Sequence, residues 1–466
     1  MNDLLTGAAE SALAQEPDFV IPEGRTASAR STAESAPAVK QRKRIDYHMW
    51  GTYLLLVMIA TLELFSASIQ EVREDDIFEP IIRHGRFIVG GLVLMLILQA
   101  IHYRWLFKLI PLYVLFSVGI MVAVLVGGGE INGAARAIRI MGVPVLPAEF
   151  MKLAVALGMA WLLARFQIPG KRDITTWGVV ACLVFLGTCA VLLFSQGLSN
   201  TIIVVSIGLA MMFVGGIKFR KFCIILGVIA VAGGIGYIYK TKTKAASPVT
   251  ERQELINKLN HIDGEDVDGQ GRGRVWNNRM SAHFRPNKWA EPFSTEHQQE
   301  QLSFIAQARG GITGSGVGKS RENARLPLAY SDYVYAIIIE ETGLIGGLGV
   351  LLIYLWILGR SAKLTLIFRH TMPGVMVMGC AFVIVFQALY HMAIVSGVFP
   401  VSGQPLPLIS KGGISVIAIS LAFGVMLSCA RHAVHNSDSV AAQKKESDLL
   451  PDKANGLNLT TPERVD

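Results

Sequence analysis

The sequence predicts an all-α polytopic membrane protein with about ten transmembrane helices and one large extracytoplasmic loop. Of its 466 residues, 52% are apolar and only 17% are charged, whereas about a quarter of an average soluble protein is charged. Apolar runs close to the roughly 20 residues that cross a bilayer recur along the chain. Alternate short loops between these runs are basic. These observations disfavour a soluble multidomain enzyme and a disordered chain.

Ten apolar runs are long enough, or nearly long enough, to span the hydrocarbon. The fourth, sixth and seventh are short and rich in glycine, so hydropathy alone also allows nine or eleven spans. The runs lie near residues 49–69, 85–101, 106–127, 149–165, 175–194, 200–217, 221–239, 333–358, 374–396 and 413–431.

The placement of basic residues predicts the orientation of the chain. Cations between Lys40 and Arg44 precede the first run, which puts the N-terminus in the cytoplasm. The first outer loop is the acidic stretch Glu71–Glu79. Ten spans then return the C-terminal tail to the cytoplasm, so we expect a multi-pass protein with both termini inside. The basic inner loops fall at residues 104–108, 165–172, 218–221 and 360–369.

Three polar segments accompany the apolar runs. Residues 1–45 lack helical periodicity and predict a disordered cytoplasmic tail, and residues 433–466 form a second cytoplasmic tail. The ten-helix membrane domain then covers residues 46–432. Within it, residues 240–332 form the large extracytoplasmic loop, which is too long for a simple connector and is a candidate functional segment.

Ionisable residues in or beside the spans are candidates for chemistry, because charge is costly there. Glu149 and Lys152, at the start of the fourth run, lie three residues apart on one helical face and can pair. An interfacial ion pair that only anchors the helix is the alternative. Asp332 lies where the large loop meets the eighth run. Position alone allows a helix cap or a general base that deprotonates a hydroxyl at the bilayer surface.

Two other polar positions have simple structural interpretations. Glu340–Glu341, about two turns into the eighth run, can line a cavity or accept hydrogen bonds from a helix N-terminus. His391, in the ninth run, is interpreted as a packed, hydrogen-bonded histidine in preference to a ligand.

A glycine-rich run ends in Lys319 and Ser320 and superficially resembles a P-loop. That motif requires a glycine where Thr313 stands, and no strand precedes the run. A flexible turn is the simpler interpretation. A backbone nest that meets a phosphate is the intermediate one.

Four motifs resemble, in order, those of the SEDS family of glycosyltransferases, represented by FtsW and RodA. Asn132–Arg136 followed by Pro147–Leu153 resembles the family's NGAxRW and QPSEFxKL pair. Gln301–Ser320 is similar to its glycine-rich outer-loop motif. Leu326–Glu341 resembles LPExxTDFIFAxxxEE, and Phe399–Gly413 resembles PVTGxxLPfiSxGG. The resemblance covers nearly the whole predicted membrane domain and is closer to the FtsW branch.

Several positions depart from the family pattern and indicate a divergent branch. Ala137 stands where the family usually has Trp, and Gln196–Thr201 lacks the aspartate of the common QPDLGT motif. Roles that depend on that Trp or that aspartate are therefore in doubt here. Asp332, the aspartate of the family's SD pair, is retained. Other departures are Leu328, Lys411 and Ile414.

The resemblance implies polymerisation of lipid II into peptidoglycan strands during cell division, at the bacterial inner membrane. A sugar hydroxyl attacks the anomeric carbon of a second unit with inversion, and undecaprenyl pyrophosphate leaves. Asp332 is then the expected general base. The pyrophosphate needs cations, a divalent ion (Mg²⁺ or Mn²⁺) could share that work, and no organic cofactor is expected. The expected substrate-binding residues are Arg136, Glu149, Lys152, Arg274, Lys319 and Ser320.

Two other functions stay open from the sequence. One is a transporter that flips a lipid-linked precursor, and the other is a non-catalytic division scaffold. A transporter is expected to carry paired broken helices and charges at the membrane midplane, and no internal repeat is evident. The partners that the resemblance implies are a class B penicillin-binding transpeptidase, other division proteins and membrane lipids, with no nucleic acid.

Overall fold

A computed structural model of the chain describes most of the predicted membrane domain. The described residues are 45–67, 79–127, 129–131, 134–140, 143–168, 173–224, 227, 279–280, 283–285, 288, 292–293, 297–326, 329–368 and 371–433. The predicted tails, all but the first residues of the run at 221–239, and much of the loop at 240–332 lie outside them. These parts of the domain assignment stay predictions.

The described chain is mostly helical, as predicted. The helices are α1 (Tyr47–Ala67), α2 (Glu79–Ala100), α3 (Tyr103–Gly127), α4 (Pro147–Arg165), α5 (Thr176–Phe194), α6 (Leu198–Val214), α7 (Gln298–Gly310), α8 (Ala329–Asp332), α9 (Val334–Ile367), α10 (Thr371–Val395) and α11 (Gly413–His432). Three short strands, β1 (Gly129–Ile131), β2 (Ala134–Ile140) and β3 (Val143–Val145), lie between α3 and α4.

Six helices of the described part are long and apolar enough to cross a membrane: α3, α4, α5, α9, α10 and α11. The apolar segments His84–Ala100 of α2 and Leu198–Val214 of α6 are shorter. Each predicted run except that at 221–239 coincides with a described helix. The predicted count of ten spans is not established by these residues.

The spans form an inner and an outer layer. In α4, α10 and α11, about four-fifths of the apolar window is buried by neighbouring helices, whereas only 22% is buried in α3 and 33% in α5. Leu115 on α3 and Val191 on α5 are largely exposed. An exposed apolar surface of this extent needs lipid rather than water around it. The inner helices therefore form the core on which the polar residues are arranged.

The small antiparallel sheet was not foreseen by the all-α prediction. Its strands follow the order β1-β2-β3, with Ile131 opposite Ala134 and Ile140 opposite Val143. The sequence between β1 and β2 is Asn132-Gly133, which is the strongest short signal for a hairpin turn. These two residues belong to the Asn132–Arg136 family motif and also predict a hairpin at this point of the chain.

The described pieces of the large loop close the end of α10. The last carbonyl groups of a helix have no partner within it. Here the Ser303 hydroxyl and the Gln307 amide of α7 donate to the Val395 carbonyl, at 3.1 and 2.8 Å. Lys288 Nζ donates to the Gly397 carbonyl at 2.6 Å. These pieces of the loop are thus fixed against the C-terminal end of α10.

A kink in α9 receives the glycine-rich turn that follows α7. Gly343 has φ 74° and ψ −175°, which few residues other than glycine adopt. The backbone N–H groups of Ser315 and Gly316 donate to the carbonyls of Glu340 and Glu341, both at 2.9 Å. The turn is therefore packed against a broken helix and is not the flexible element of the simpler interpretation.

Gly314→Ala is expected to destabilise the protein more than Gly318→Ala. Both glycines have a left-handed φ, 79° and 78°, so each alanine costs about 1–2 kcal/mol in backbone strain. A methyl group at Gly314 would also overlap the Glu341 carbonyl, whereas nothing lies within 4 Å of one at Gly318. Thermal unfolding in detergent checks this, and equal midpoints for the two variants would contradict the packing role of the turn.

Candidate active site

Asp332 lies at the last position of α8, directly before the long helix α9. Its side chain is partly exposed, and Oδ1 accepts a hydrogen bond from the Ser331 hydroxyl at 3.0 Å. The N-cap of α9 is Tyr333, one residue later. Asp332 therefore directly precedes the capping position of α9, and its role as general base stays a prediction.

The loop between α10 and α11 wraps around this aspartate. A methyl group placed on Gly403 would lie 2.9 Å from Asp332 Oδ2, so the backbone of the loop passes directly beside the carboxylate. Ser410 Oγ donates to the Ser331 carbonyl at 2.7 Å, and the Lys411 N–H donates to the Tyr330 carbonyl at 2.9 Å. The position of Asp332 is thus determined by the loop as well as by α8.

The predicted pair of Glu149 and Lys152 is confirmed and lies at the centre of a buried network. Lys152 Nζ is 2.7 Å from Glu149 Oε1, and the lysine is fully buried. Its ammonium also donates to Gln387 Oε1 at 2.8 Å and to Gln404 Oε1 at 3.5 Å. The three N–H donors of the lysine thus have three acceptors. Glu149 Oε2 accepts in turn from Ser415 Oγ at 3.3 Å.

The network joins four inner elements and ends beside Asp332. Glu149 and Lys152 come from α4, Gln387 from α10 and Ser415 from α11, while Gln404 belongs to the loop that carries Gly403. The Gln387 amide also donates to the Pro405 carbonyl at 3.1 Å. Buried charge in a membrane span is costly unless it is paired and hydrogen-bonded. The network therefore holds the loop, and with it the surroundings of the aspartate.

His391 is packed and hydrogen-bonded, as predicted. It is buried, and Nδ1 lies 2.6 Å from the Gln404 carbonyl oxygen. His391 therefore contacts the backbone carbonyl of Gln404, whereas Lys152 contacts its side-chain amide.

Glu340 and Glu341 are internal partners of the turn and of α1. Glu340 Oε2 accepts from the Ser320 hydroxyl at 2.5 Å, and its Oε1 accepts from the Arg321 N–H at 3.0 Å. The Ser66 hydroxyl of α1 donates to Glu341. Glu340 thus accepts backbone N–H bonds from a turn and not from the helix N-terminus that was predicted. These contacts are structural and do not place either carboxylate beside Asp332.

The other predicted substrate-binding residues lie in the glycine-rich turn, in β2 or outside the described residues. Lys319 is exposed on the glycine-rich turn, and the Ser320 hydroxyl is used by Glu340. Arg136 lies in the central strand β2. Arg274 is outside the described residues. Substrate binding by these residues stays a prediction.

A divalent cation has no ready-made protein cage among the residues that the structure describes. No group of three or more His, Cys, Asp and Glu side chains there has a geometry that could hold a metal ion. Mg²⁺ is often held by one or two carboxylates together with substrate phosphates. Asp332 can supply one such carboxylate, and the predicted cation stays a prediction.

Comparison with known proteins assigns the chain to a family. The profile of the FtsW, RodA and SpoVE group of cell cycle proteins matches residues 46–259 and 274–435. The chain belongs to this family. It is therefore a multi-pass membrane protein, as the apolar helices indicate.

Curated relatives of the family resemble the chain along most of their length. A "Probable peptidoglycan glycosyltransferase FtsW" from Tolumonas auensis is 30% identical over 80% of this chain and 88% of the relative. Another of the same name, from Halomonas elongata, is 27% identical over 74% of this chain and 80% of the relative. Stage V sporulation protein E from Bacillus subtilis is 27% identical over 82% and 95%.

Solved structures of family members share the fold. A chain described under "Structural coordination of polymerization and crosslinking by a peptidoglycan synthase complex" matches with a TM-score of 0.60 and 22% identity, over 83% of this chain and 98% of that chain. The rod shape determining protein RodA from Thermus thermophilus matches with a TM-score of 0.55 and 21% identity, over 83% and 97%. The predicted SEDS fold is confirmed.

The uncharged residues of the candidate site were not predicted from the sequence. Gln387 and Ser415 were given no role, since one amide and one hydroxyl in apolar runs carry no distinctive pattern. Gly403 and Gln404 lie in the Phe399–Gly413 motif. Only the fold shows that Gly403 passes beside Asp332 and that Gln404 accepts a hydrogen bond from Lys152. A signal was present in Gln387, because a polar amide within a 25-residue apolar helix is costly unless it has partners.

Proposed function

We propose that this chain is a peptidoglycan glycosyltransferase that polymerises lipid II into glycan strands during cell division. Its curated relatives carry the name peptidoglycan glycosyltransferase FtsW. The observation that carries the proposal is the position of Asp332. It is partly exposed at the end of α8, and it lies beside a loop that a buried charge network supports. A polymerase needs such a positioned base at a membrane surface.

In the proposed reaction, Asp332 accepts the proton of the acceptor sugar's 4-hydroxyl as that oxygen attacks the donor's anomeric carbon. The bond from that carbon to the pyrophosphate breaks, undecaprenyl pyrophosphate leaves, and the configuration inverts. The Ser331 hydroxyl, at 3.0 Å from Oδ1, orients the carboxylate. The other carboxylate oxygen, Oδ2, faces the loop at Gly403.

The departing pyrophosphate requires positive charge near it. Arg136 and Arg274 are the proposed direct sources, with Lys152 as a third if it releases one of its partners, and Mg²⁺ or Mn²⁺ bound to the pyrophosphate would add to them. Lys152 already has three acceptors and no exposed surface. A contact between Lys152 and phosphate would therefore require it to exchange one of these acceptors.

The proposed setting is the bacterial inner membrane, with both termini in the cytoplasm and Asp332 at the outer surface. The proposed partner is a class B penicillin-binding transpeptidase, which would cross-link the strands that this chain makes. A related chain was solved as part of a peptidoglycan synthase complex that combines polymerisation and crosslinking.

The test is polymerisation by the purified full-length chain in liposomes, with lipid II supplied and a candidate transpeptidase present. Glycan strands that a muramidase digests are the expected product. Movement of lipid II across the bilayer without polymer would instead favour the transporter. Neither activity, with the transpeptidase stimulated by the chain, would favour the scaffold.

Gly403→Ala is expected to lower polymerisation at least tenfold while changing stability little. The added methyl group would lie 2.9 Å from Asp332 Oδ2 and displace the carboxylate, and misplacement by about 1 Å can cost 100-fold in rate. Gly349→Ala is the control, since nothing lies within 4 Å of its added methyl. Equal rates for the two variants would show that Asp332 is not positioned by the loop.

A further inference from the structure

A large apolar groove lies at the surface of the bundle, where the outer helices α3 and α5 pack against α4. It has a volume of about 600 Å³ and is formed by α3, α4 and α5. Its walls carry only apolar and aromatic side chains, among them Val114, Trp161, Phe166, Ala181 and Phe185.

The groove lies within one leaflet of the bilayer. Its walls come from the first half of α3, the second half of α4 and the first half of α5, which lie towards the same membrane face. Along α5 it extends from Trp177 to Phe185, or about 12 Å at 1.5 Å per residue. The hydrocarbon core is about 30 Å thick, so the groove ends before the midplane.

The mouth of the groove is aromatic and positively charged. The guanidinium of Arg165 lies over the ring of Trp161, 5.5 Å from its centroid, and Trp161 is part of the wall. On α3, Lys108 lies over the ring of Trp105 at 4.9 Å, but it stands two residues before Ile110 and so projects from another face of the helix than the groove wall. The acidic group Asp173 at this face is already paired, with Lys218 Nζ 3.0 Å from its carboxylate.

We propose that this groove binds an anionic phospholipid. One acyl chain would occupy the apolar groove, and the phosphate would lie beside Arg165. Basic sites between helices at a membrane face bind anionic headgroups, and tryptophan is enriched at the membrane–water interface. A zwitterionic lipid would gain the same acyl contacts but less from the guanidinium of Arg165. The site is separate from the polymerisation chemistry and independent of the proposed function.

The test is native mass spectrometry of the purified full-length protein, titrated with dioleoyl phosphatidylglycerol or dioleoyl phosphatidylcholine. Preferential retention of the phosphatidylglycerol is expected. Arg165→Gln is expected to weaken that retention about fivefold, since one cation near a headgroup contributes on the order of that factor. Arg220→Gln, a basic residue outside the groove, is the matched control and is expected to retain the lipid.

Ala181→Trp fills the groove and is expected to abolish retention of one phosphatidylglycerol. Val191→Trp, on an exposed face of the same helix and outside the groove, is expected to leave it unchanged. Glycerophosphoglycerol, which has the headgroup and no acyl chains, is expected not to compete. Equal retention of both lipids, or an unaffected Ala181→Trp variant, would overturn the proposal. Loss of transpeptidase binding in Ala181→Trp, without lipid retention by the wild type, would assign the groove to a partner's helix instead.

Discussion

Asp332→Asn is expected to reduce polymerisation of lipid II by at least 10²–10⁴-fold, the usual contribution of a general base. The amide keeps the size of the carboxylate and can still accept the bond from Ser331 Oγ. It cannot take up the proton of the attacking hydroxyl. Because the side chain is partly exposed, the unfolding midpoint is expected to change little.

The measurement is the initial rate of strand formation in liposomes, with the folded fraction of each variant checked by size exclusion and thermal unfolding. Asp173→Asn is the matched control. It makes the same carboxylate-to-amide change in the loop between α4 and α5, where Asp173 pairs with Lys218. Its polymerisation is expected to equal that of the wild type. Polymer from Asp332→Asn at the wild-type rate would remove Asp332 as the base.

The pairing with Lys218 also affects the ionisation of Asp173, the control residue. Asp173 is hydrogen-bonded by the Lys218 ammonium, which lowers the pKa of its carboxyl. A lowered folded-state pKa contributes stability above the unfolded-state pKa, and that stability is lost as the pH falls through the folded-state value. Neutral pH lies above this lowered pKa, so the stabilising contact between Asp173 and Lys218 is fully present under the conditions of the assay.

Most of the helical framework was predictable, because long apolar runs have few alternatives in a bilayer. The coincidence of nine predicted runs with described helices reflects that constraint. The sheet at 129–145 was not predicted, since its strands are short and local hairpin signals compete with a stronger expectation of loop. The kink at Gly343 was also missed, because a single glycine in a 34-residue helix is compatible with a straight helix until its backbone angles are known.

Within the site, charged residues were predicted and neutral ones were not. Glu149 and Lys152 are conspicuous in an apolar helix, and their spacing alone predicts the pair. Gln387 and Gln404 are separated from Lys152 by 235 and 252 residues, and no local pattern encodes contacts over such distances. The burial of Lys152 was also beyond the sequence. A lysine at a helix start is ordinarily expected at the surface, where its ammonium stays hydrated.

Lys152→Met is expected to destabilise the protein by about 3–5 kcal/mol, because it leaves Glu149 as an unpaired buried charge. Glu149→Gln is expected to destabilise it for the converse reason, with the ammonium left between three amide oxygens. The double variant Glu149→Gln/Lys152→Met removes both charges. Replacing a buried ion pair by neutral groups of similar volume is often nearly neutral, so its stability is expected to approach that of the wild type.

Unfolding of the four proteins in detergent gives the coupling between the two residues as a double-mutant cycle. Strong recovery in the double variant is the expected result. Single variants whose losses simply add would mean that the 2.7 Å contact contributes nothing to the fold.

The folded double variant then separates the two roles of Lys152 in polymerisation. Its ammonium donates to Gln404 Oε1 at 3.5 Å, and the backbone at the adjacent Gly403 passes beside Asp332. If Lys152 acts by supporting this loop, kcat is expected to fall while the KM for lipid II stays the same, since only the position of the base changes. If it binds the pyrophosphate in ground and transition states alike, KM is expected to rise with kcat retained. We expect the fall in kcat, because the lysine is fully buried and its three donors are already engaged. A double variant that polymerises at the wild-type rate would reduce the pair to an anchor of α4.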